Sequence, residues 1–342
     1  MISRRQFIAA VTAASLLRSA TSKVGATTPE NATGGANETI PAATHPDHAT
    51  AAPPGELLIA TYNLRYAGGD GPPNDWASRR PRVKALLDRY RPDLIGTQEG
   101  LYEQVKDLAS DQPQYDWIGL GRDGGSRGEF MAIFYRRDRF EPLEYDHFWL
   151  SDTPDVIASS TWGNGVRRMV TWARFMDRTT NREFYFWNTH LDHAVQYARE
   201  KSAELIRQRI NALPADVPLF LVGDFNAVAR DNRAYAILTD QEGVTGDGST
   251  RIEKGVTSEK RPSNGKPLTD TWYAARERRN ETVNSFTGFG PLKNEGKRID
   301  WIIARGDIEV RATEAVTFRP NGQWPSDHLA VMAWVTLAAR AT

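Results

Sequence analysis

Six times along this chain, a short apolar run ends in an amide, carboxylate or imidazole side chain. The six segments are Tyr62-Asn63, Thr97-Gln98-Glu99, Asn188-Thr189-His190, Gly223-Asp224-Phe225-Asn226, Arg298-Ile299-Asp300 and Ser326-Asp327-His328. Short apolar runs bounded by polar turn residues predict buried β-strands. Functional side chains on α/β scaffolds gather at strand ends along one edge of a sheet, so the pattern predicts a sheet-based domain with a polar site.

Helical patterns recur between the predicted strands. Residues 78–90 place Val83, Leu86 and Tyr90 at helical spacing, and residues 195–213 form a second amphipathic segment. Strands are predicted at residues 57–62, 93–99, 130–135, 169–175, 184–188, 218–223, 299–304, 310–318 and 329–337, and a surface loop at 241–266. Because strands outnumber helices and helices separate them, we predict a layered α/β domain rather than an all-β barrel.

The first residues predict export. Residues 1–26 begin with Ser3-Arg4-Arg5-Gln6-Phe7, continue with an apolar run over 8–17 and end in small side chains, which is typical of a twin-arginine signal peptide. The apolar run is shorter than the ~20 residues of a membrane span, so no transmembrane domain is expected. A periplasmic or secreted protein, with the Tat export machinery as its partner during translocation, is the expectation. An amphipathic N-terminal helix is the alternative.

Residues 27–55 are rich in Ala, Thr, Pro, Gly and Asn. They carry too few apolar side chains to offset the entropy of ordering, so we predict a disordered linker. His45 and His48 lie in it, and solvated side chains are expected there rather than metal ligands. A single catalytic domain is predicted over residues 56–342.

Charge and cysteine content exclude several functions. The 342 residues include 43 basic and 43 acidic side chains, but the four basic residues of the leader are unbalanced, which leaves the remaining chain with a net charge of −4. Proteins that grip long nucleic acid usually show a basic surface, so duplex binding is possible but not favoured. The chain has no cysteine, which excludes disulfides, thiolate nucleophiles and iron–sulfur clusters.

The polar strand ends match the requirements of phosphate-ester hydrolysis. That reaction needs a cation on the phosphoryl oxygens, an activated water and help for the leaving group. Mg²⁺ prefers oxygen ligands and keeps several waters. Asn63, Glu99 and Asp327 are therefore the predicted metal ligands, with Mn²⁺ or another divalent cation as the alternative to Mg²⁺.

The remaining strand ends supply proton transfer and orientation. His328 is expected to take a proton from water, or to bind phosphate when protonated, if Asp300 fixes its tautomer. Asp224 and Asn226 are two residues apart, so on an extended chain they face the same way and polarise one water together. Each residue alone has an ordinary use as a turn or cap residue. Their recurrence at strand ends predicts a site.

Together, these motifs resemble the endonuclease/exonuclease/phosphatase superfamily. The resemblance spans about residues 57–338, with the motifs in the family's order. It implies a four-layer α/β/β/α sandwich of two packed mixed sheets flanked by helices, with the site at the top of the sheets. It also implies that Glu99 is the principal metal ligand, assisted by Asn63 and Asp327.

The resemblance implies roles for the other residues as well. His328, oriented by Asp300, would contact the scissile phosphate, and Asp224 and Asn226 would align the water. His190 would hold a phosphate oxygen. In deoxyribonuclease-like members a glutamate that opens a strand pairs with this histidine, and Glu129 in Gly-Glu-Phe-Met-Ala occupies the matching place. The segments at residues 76–81, 190–193 and 285–289 are similar to an uncharacterised bacterial branch rather than to the nucleases.

Two arginines and four tryptophans are candidate substrate contacts. Arg65 and Arg168 either fork onto an anion or form surface ion pairs, since a guanidinium matches carboxylate and phosphate oxygens bidentately. The tryptophans in predicted loops are Trp76, Trp162, Trp272 and Trp324. They either form a platform for a sugar, base or lipid, or pack beneath the loops, which is the commoner use.

The leading hypothesis is an exported, Mg²⁺-dependent hydrolase of phosphate esters, chiefly phosphodiesters, acting on a small or oligomeric substrate. An extracellular nuclease is one alternative, and a hydrolase of a non-phosphate substrate such as a glycan on the same metal scaffold is another. A binding module that kept the fold but lost the chemistry is disfavoured, because every expected polar position is filled.

Overall fold

The computed structural model describes residues 55–240 and 268–337. The predicted leader, the linker apart from Gly55, and the predicted surface loop at 241–266 lie outside these residues, as do His45 and His48. Those assignments therefore stay predictions. Within the described residues, no helix combines the length and the apolar character needed to cross a bilayer.

The strands and helices alternate along the chain. The strands are β1 Glu56–Asn63, β2 Leu94–Gln98, β3 Tyr115–Ile118, β4 Ile133–Arg136, β5 Phe140–Trp149, β6 Met169–Asp177, β7 Arg182–His190, β8 Leu219–Asp224, β9 Thr269–Asp270, β10 Glu277–Arg279, β11 Asp300–Arg305, β12 Ile308–Ala315 and β13 Val331–Leu337. The helices are α1 Trp76–Tyr90, α2 Tyr102–Asp111, α3 Gln196–Asn211, α4 Arg233–Thr239 and α5 Thr271–Ala274, with a 3₁₀ turn at Pro320–Gly322.

These strands form two mixed sheets. Sheet 1 has the order β10-β12-β13-β1-β2-β4-β3, and sheet 2 has the order β5-β6-β7-β8-β11-β9. At the centre of sheet 1, β1 pairs parallel to β2 and antiparallel to β13. At the centre of sheet 2, β7 pairs parallel to β8, and β8 pairs antiparallel to β11.

Three large apolar clusters fill the spaces between neighbouring layers. The cluster between the sheets includes Leu57 and Ile59 of sheet 1 with Phe186 and Phe220 of sheet 2. A second packs the outer face of sheet 2 against α3 and α4, and a third packs the outer face of sheet 1 against α1 and α2. Strands that are buried on both faces appear in the sequence as continuous apolar runs. For this reason β1 and β8 could be predicted from the sequence. The α/β/β/α sandwich expected from the sequence is confirmed.

A polar contact joins the two sheets inside this apolar interior. Gln98 Nε2 donates to Asn188 Oδ1 at 2.7 Å, and Asn188 Nδ2 donates to the Thr97 and Ala132 carbonyls at 2.8 and 2.9 Å. A Cβ on Gly96 would lie 2.3 Å from Val222 Cγ2 and 2.9 Å from the Asn188 side chain. The sheets therefore approach closely here, and buried polar groups that are this well paired fix the register of one sheet on the other.

His147 on the edge strand β5 gives a pH prediction. Its Nδ1 lies 3.1 Å from Thr171 Oγ1, and burial lowers the pKa of His147 to about 4 although Asp146 opposes the change. The folded state thus binds fewer protons than the unfolded state between pH 4 and about 6.5. Stability should fall as the pH drops through this window, with a slope below ~1.4 kcal/mol per pH unit because the ring is partly exposed.

Urea unfolding at pH 7, 5.5 and 4.5 measures this effect. The His147→Gln variant keeps a polar side chain but removes the titrating group, so its stability should fall less steeply than that of the wild type over the same range. Parallel curves for the two proteins would contradict the assignment.

Candidate active site

Strand pairing places the polar strand ends along one rim of the two sheets. In sheet 1, Asn63 at the end of β1 is in register with Gln98 at the end of β2. In sheet 2, His190 of β7 is in register with Asp224 of β8, and Asp224 with Asp300 of β11. His328 precedes β13, which runs antiparallel to β1, so it reaches the same rim. Segments far apart in sequence therefore meet at one place.

Asn63 lies at the centre of the group. Its Nδ2 donates to Glu99 Oε1 and to Asp224 Oδ2, both at 3.0 Å, so it connects a residue of sheet 1 with one of sheet 2. Its Oδ1, the atom expected to bind a metal, instead accepts the Arg65 N–H at 2.9 Å. In this arrangement Asn63 positions two carboxylates rather than offering its own oxygen.

Glu99 is held by its backbone and by a neighbouring loop. It has a φ of 61°, a left-handed conformation that side-chain-bearing residues adopt infrequently and that is found at functional sites. Its Oε2 accepts the Tyr66 N–H at 3.1 Å. One carboxylate oxygen of Glu99 accepts a hydrogen bond from Asn63 and the other accepts one from a backbone amide. These two hydrogen bonds fix the carboxylate at the rim.

Asp224 faces both histidines. Its Oδ1 accepts the Asn226 N–H at 2.9 Å, and its Oδ2 lies 3.4 Å from His190 Nε2 and 3.7 Å from His328 Nε2. Burial raises the pKa of Asp224 to about 7, although the charge of His328 opposes the rise. The expected extended backbone between Asp224 and Asn226 is wrong, because Asn226 has a φ of 48°. A tight turn, rather than strand alternation, brings both side chains to the site.

His328 and Asp300 form a buried pair. His328 Nδ1 lies 3.1 Å from Asp300 Oδ2, which leaves Nε2 facing Asp224. Burial disfavours the charged imidazole, but Asp300 and Asp224 outweigh it and raise the pKa of His328 to about 10. The N–H of Asp300 donates to Ser285 Oγ at 3.3 Å. The exposed ring of Phe286 lies 4.9 Å from the imidazole.

His190 is buried and neutral. Asn226 Nδ2 lies 2.9 Å from its Nε2, and burial, followed by the charge of Arg168, holds the pKa of His190 well below its usual value. Glu129 Oε2 lies 4.0 Å from its Nδ1, which is too long for a hydrogen bond.

Glu129 instead accepts Arg122 Nη1 at 2.5 Å. It lies in the loop before β4 rather than opening that strand. Burial raises the pKa of Glu129, with Arg122 opposing. The expected direct pairing with His190 is thus replaced by a pairing with an arginine that the sequence did not single out.

Asp327 lies at the edge of the group. It is buried, and its Oδ2 is 3.8 Å from Arg65 Nε. Burial raises the pKa of Asp327; His328 opposes the rise and the charge of Glu99 adds to it. Of the two predicted carboxylate ligands, Glu99 but not Asp327 belongs to a set of three close carboxylate and imidazole ligand atoms in the described residues.

Two such sets occur in the described residues. Ligand atoms of Glu99, His190 and Asp224 lie within 4.8 Å of one another, as do those of Asp224, Asp300 and His328. Carboxylate oxygens are the donors that hard divalent cations prefer. Glu99 and the buried Asp327 repel each other, and a cation between such carboxylates relieves the repulsion. The donor set on the Glu99 side therefore fits a divalent metal.

The two candidate arginines have different surroundings. Arg65 forks onto Asp70, with Nε to Oδ2 at 2.8 Å and Nη2 to Oδ1 at 3.2 Å, so here it forms an ion pair. Arg168 is 3% exposed, and its Nη2 lies 3.1 Å from His193 Nδ1. Within residues 55–240 and 268–337, its Nε and Nη1 have no hydrogen-bond partner.

The four tryptophans do not form a platform. Trp162, Trp272 and Trp324 are buried, and the indole N–H of Trp76 donates to Asp107 at 2.8 Å. Trp76 opens α1 and Trp272 lies in α5, so placing these two in loops was wrong. The commoner use, packing, is the one observed.

Sequence reasoning missed Arg79. It is fully buried, and its guanidinium donates to the carbonyls of Leu64, Arg65, Asn74 and Pro325 at 2.6 to 3.1 Å. These carbonyls belong to the loops that carry Asn63 and Asp327. Residues 76–81, which include Arg79, were noted as part of the resemblance to the family. Arg79 itself was not singled out, because an arginine on an amphipathic helix is ordinarily exposed to solvent.

Comparison with known proteins agrees with this geometry. Residues 60–328 match the model of the Endonuclease/Exonuclease/phosphatase family. An endonuclease/exonuclease/phosphatase structure from Bacteroides vulgatus is similar at 30% identity and a TM-score of 0.71, covering 83% of this chain and 99% of that one. The mannosyl-6-phosphatase of Bacteroides thetaiotaomicron is similar at 31% identity and a TM-score of 0.69, covering 82% of this chain and 100% of that one.

A curated relative matches over a shorter stretch. The uncharacterised protein L388 of Acanthamoeba polyphaga mimivirus is 30% identical over 160 residues, 44% of this chain and 59% of that protein. This chain thus spans about three-fifths of the relative's length.

The fold and the site define a two-sheet α/β domain with a carboxylate- and histidine-lined centre at one rim. The chain belongs to the endonuclease/exonuclease/phosphatase family, as the sequence motifs predicted.

Proposed function

We propose that this protein is an exported hydrolase that uses Mg²⁺, or another divalent cation such as Mn²⁺, to cleave phosphate esters with water. The observation that carries the proposal is the convergence of Glu99, His190, Asp224 and His328 around the amide of Asn63. The similarity to a mannosyl-6-phosphatase supports a phosphate-ester substrate. Export by the Tat machinery, to the periplasm or the medium, is proposed from the leader sequence alone.

Glu99 is the residue best placed to hold the metal, with Asp327 and Asn63 beside it. A divalent cation there supplies charge stabilisation to the phosphoryl oxygens. The backbone amide of Tyr66 and the side chain of Asn63 fix the Glu99 carboxylate before any substrate arrives. Such preorganisation avoids the cost of reorienting ligands during the reaction.

Asp224 is proposed to accept a proton from the attacking water. Its carboxylate is oriented by the Asn226 N–H and the Asn63 amide, and its raised pKa brings it closer to neutral pH, where a general base works best. Asn226 Nδ2 lies 2.9 Å from the Nε2 of neutral His190 and donates to the Leu191 carbonyl at 3.1 Å, so these contacts hold both side chains beside Asp224.

His328 is proposed to contact the phosphoryl group in its protonated form. Asp300 on Nδ1 stabilises the charge and directs Nε2 toward the rim. A cationic donor beside the phosphorus stabilises the negative charge that develops in the transition state.

Removal of divalent metal tests the proposal. Hydrolysis of 4-nitrophenyl phosphate and of methyl 4-nitrophenyl phosphate should fall by at least ~10²-fold in excess EDTA, because the positively charged partner of the phosphoryl oxygens is lost. Excess Mg²⁺ or Mn²⁺ should restore it, while Ca²⁺, with its larger and looser coordination, should restore it less. Hydrolysis that persists unchanged in chelator would sink the proposed mechanism.

A further inference from the structure

Four buried polar atoms of Arg168, Asp192 and His190 have no hydrogen-bond partner among the described residues. They are Arg168 Nε, Arg168 Nη1, Asp192 Oδ2 and His190 Nδ1. Arg168 Nε and Asp192 Oδ2 are 3.7 Å apart, too far for a hydrogen bond. Folded proteins leave few buried polar groups unpaired, so each exception calls for an explanation.

Strand register places Arg168 at the rim of the site. It immediately precedes β6, and the pairing of Val170 with Thr189 brings Arg168 opposite the residues that follow His190. Its carbonyl accepts the Leu150 N–H at 2.8 Å, which fixes its backbone. Arg168 is therefore anchored at the end of the same sheet that presents His190 and Asp224.

Nearby carboxylates do not satisfy the guanidinium. Oδ1 of Asp192 accepts the N–H groups of Ala194 and Val195 at 3.0 and 2.7 Å, so this side chain is committed to the turn before α3. Glu129 is committed to Arg122. Arg122 and Arg168 repel each other, which adds to the effect of burial in lowering the pKa of Arg168. The guanidinium groups of Arg122 and Arg168 are close together, and that of Arg168 has no hydrogen bond to a carboxylate. An added anion would relieve the repulsion and accept the hydrogen bonds of Arg168.

We infer that Arg168 binds a terminal phosphoryl oxygen of the substrate, and that the substrate is a phosphate monoester. This inference rests on the proposed function and departs from the diester preference expected from the sequence. A diester has two unesterified oxygens, whereas a monoester has three and a second negative charge. In the proposed function, a metal held at Glu99 and the protonated His328 contact phosphoryl oxygens, which leaves a third oxygen for Arg168.

Arg168 adds a further contact beyond His190. Arg168 and Asp192 are buried there, at 3% and 1% exposure, so a second ester arm in that direction would have to displace packed side chains. An unesterified oxygen fits, and it would pair the free guanidinium nitrogens.

Two substrates with the same leaving group test the inference. We expect the Arg168→Met variant to lose about 10²-fold in kcat/KM on 4-nitrophenyl phosphate but only a few-fold on methyl 4-nitrophenyl phosphate, because charge-assisted hydrogen bonds to the third oxygen are lost. Arg168→Lys keeps the positive charge but cannot donate two parallel hydrogen bonds, so its loss in kcat/KM on 4-nitrophenyl phosphate should be intermediate. Inorganic phosphate, measured by calorimetry with each protein, should bind about 10²-fold more weakly to Arg168→Met than to the wild type.

The adjacent Arg167 provides a matched control. Its side chain is 49% exposed and pairs with Asp123 on the surface, so Arg167→Met should retain wild-type constants for both substrates and for phosphate. If Arg168→Met is unfolded, Arg168→Lys and its phosphate affinity decide the question.

The outcomes separate the two proposals. Equal losses on both substrates, with phosphate affinity unchanged, would show a structural ion pair or a water-filled gap and overturn the inference. A wild-type protein that prefers the diester would also overturn it while leaving the phosphoesterase proposal intact. A wild-type protein that hydrolyses neither ester, yet binds phosphate through Arg168, would refute the proposed function and support the anion site.

Discussion

The Asp224→Asn variant should lose at least ~10³-fold in kcat while its Tm stays the same or rises. Asparagine keeps the shape of the side chain but cannot accept a proton from water, and loss of a general base or of an oriented charge costs rate of this order. Burial already works against the charge of this carboxylate, since it raises the pKa of Asp224 to about 7 despite the opposing charge of His328. Replacing it by a neutral amide removes an unfavourable buried charge at neutral pH, and this gain offsets the loss of one of the two N–H donors that the carboxylate oxygens accept.

A carboxylate buried outside the site gives the control. Asp177 accepts two hydrogen bonds from Arg139, at 3.2 and 3.0 Å, and is 1% exposed. Asp177→Asn should lower the Tm and leave kcat within a few-fold, the reverse of the pattern at Asp224. Steady-state kinetics and thermal unfolding of both variants measure the contrast. A kcat for Asp224→Asn within tenfold of the wild type would remove Asp224 from the mechanism.

The residue pattern predicted a layered α/β domain, and the resemblance of the motifs to the family supplied the four-layer sandwich. β1 and β8 carry apolar residues almost without interruption because both of their faces are buried, and short apolar runs of this kind favour strands. The edge strand β5 was missed, because half of its residues are exposed and it has no apolar run. Helix α2 was missed because Val105 and Leu108 are its only buried apolar side chains.

The structure brings the predicted strand-end residues together, but the sequence did not predict their hydrogen-bond partners. Strand-end position was enough to indicate Asn63, Glu99, Asp224 and His328. Sequence could not show that the Asn63 amide donates to two carboxylates, or that Glu129 pairs with Arg122. Such partners come from loops whose paths depend on packing, and no short-range pattern encodes them.

Arg79 is another residue whose partners the sequence could not show, and its substitution should have a large effect on both stability and rate. Its guanidinium lies between the rings of Trp76 and Phe289, 5.4 and 5.8 Å from their centroids, and donates to four backbone carbonyls. In the Arg79→Met variant those carbonyls would be left without their donors in a dry interior. We expect a loss of about 3–5 kcal/mol in the free energy of unfolding.

The same substitution should also lower kcat by about 10²-fold. Leu64 and Arg65 follow Asn63 directly, and Pro325 lies two residues before Asp327, so release of their carbonyls would loosen both sides of the site. Small misplacement of reacting groups costs rate on this scale. Urea unfolding and steady-state kinetics measure the two effects.

The neighbouring Arg80 is the matched control for Arg79. It lies on the same helix but pairs with Asp107 and Asp111 at the surface, with 34% of its side chain exposed. Exposed ion pairs contribute little, so Arg80→Met should cost at most ~1 kcal/mol and leave kcat unchanged. If Arg79→Met does not fold, Arg79→Lys should fold with an intermediate loss, because one ammonium can satisfy only part of the carbonyl set. Equal stability and rate for Arg79→Met and Arg80→Met would show that the buried guanidinium does not organise the site.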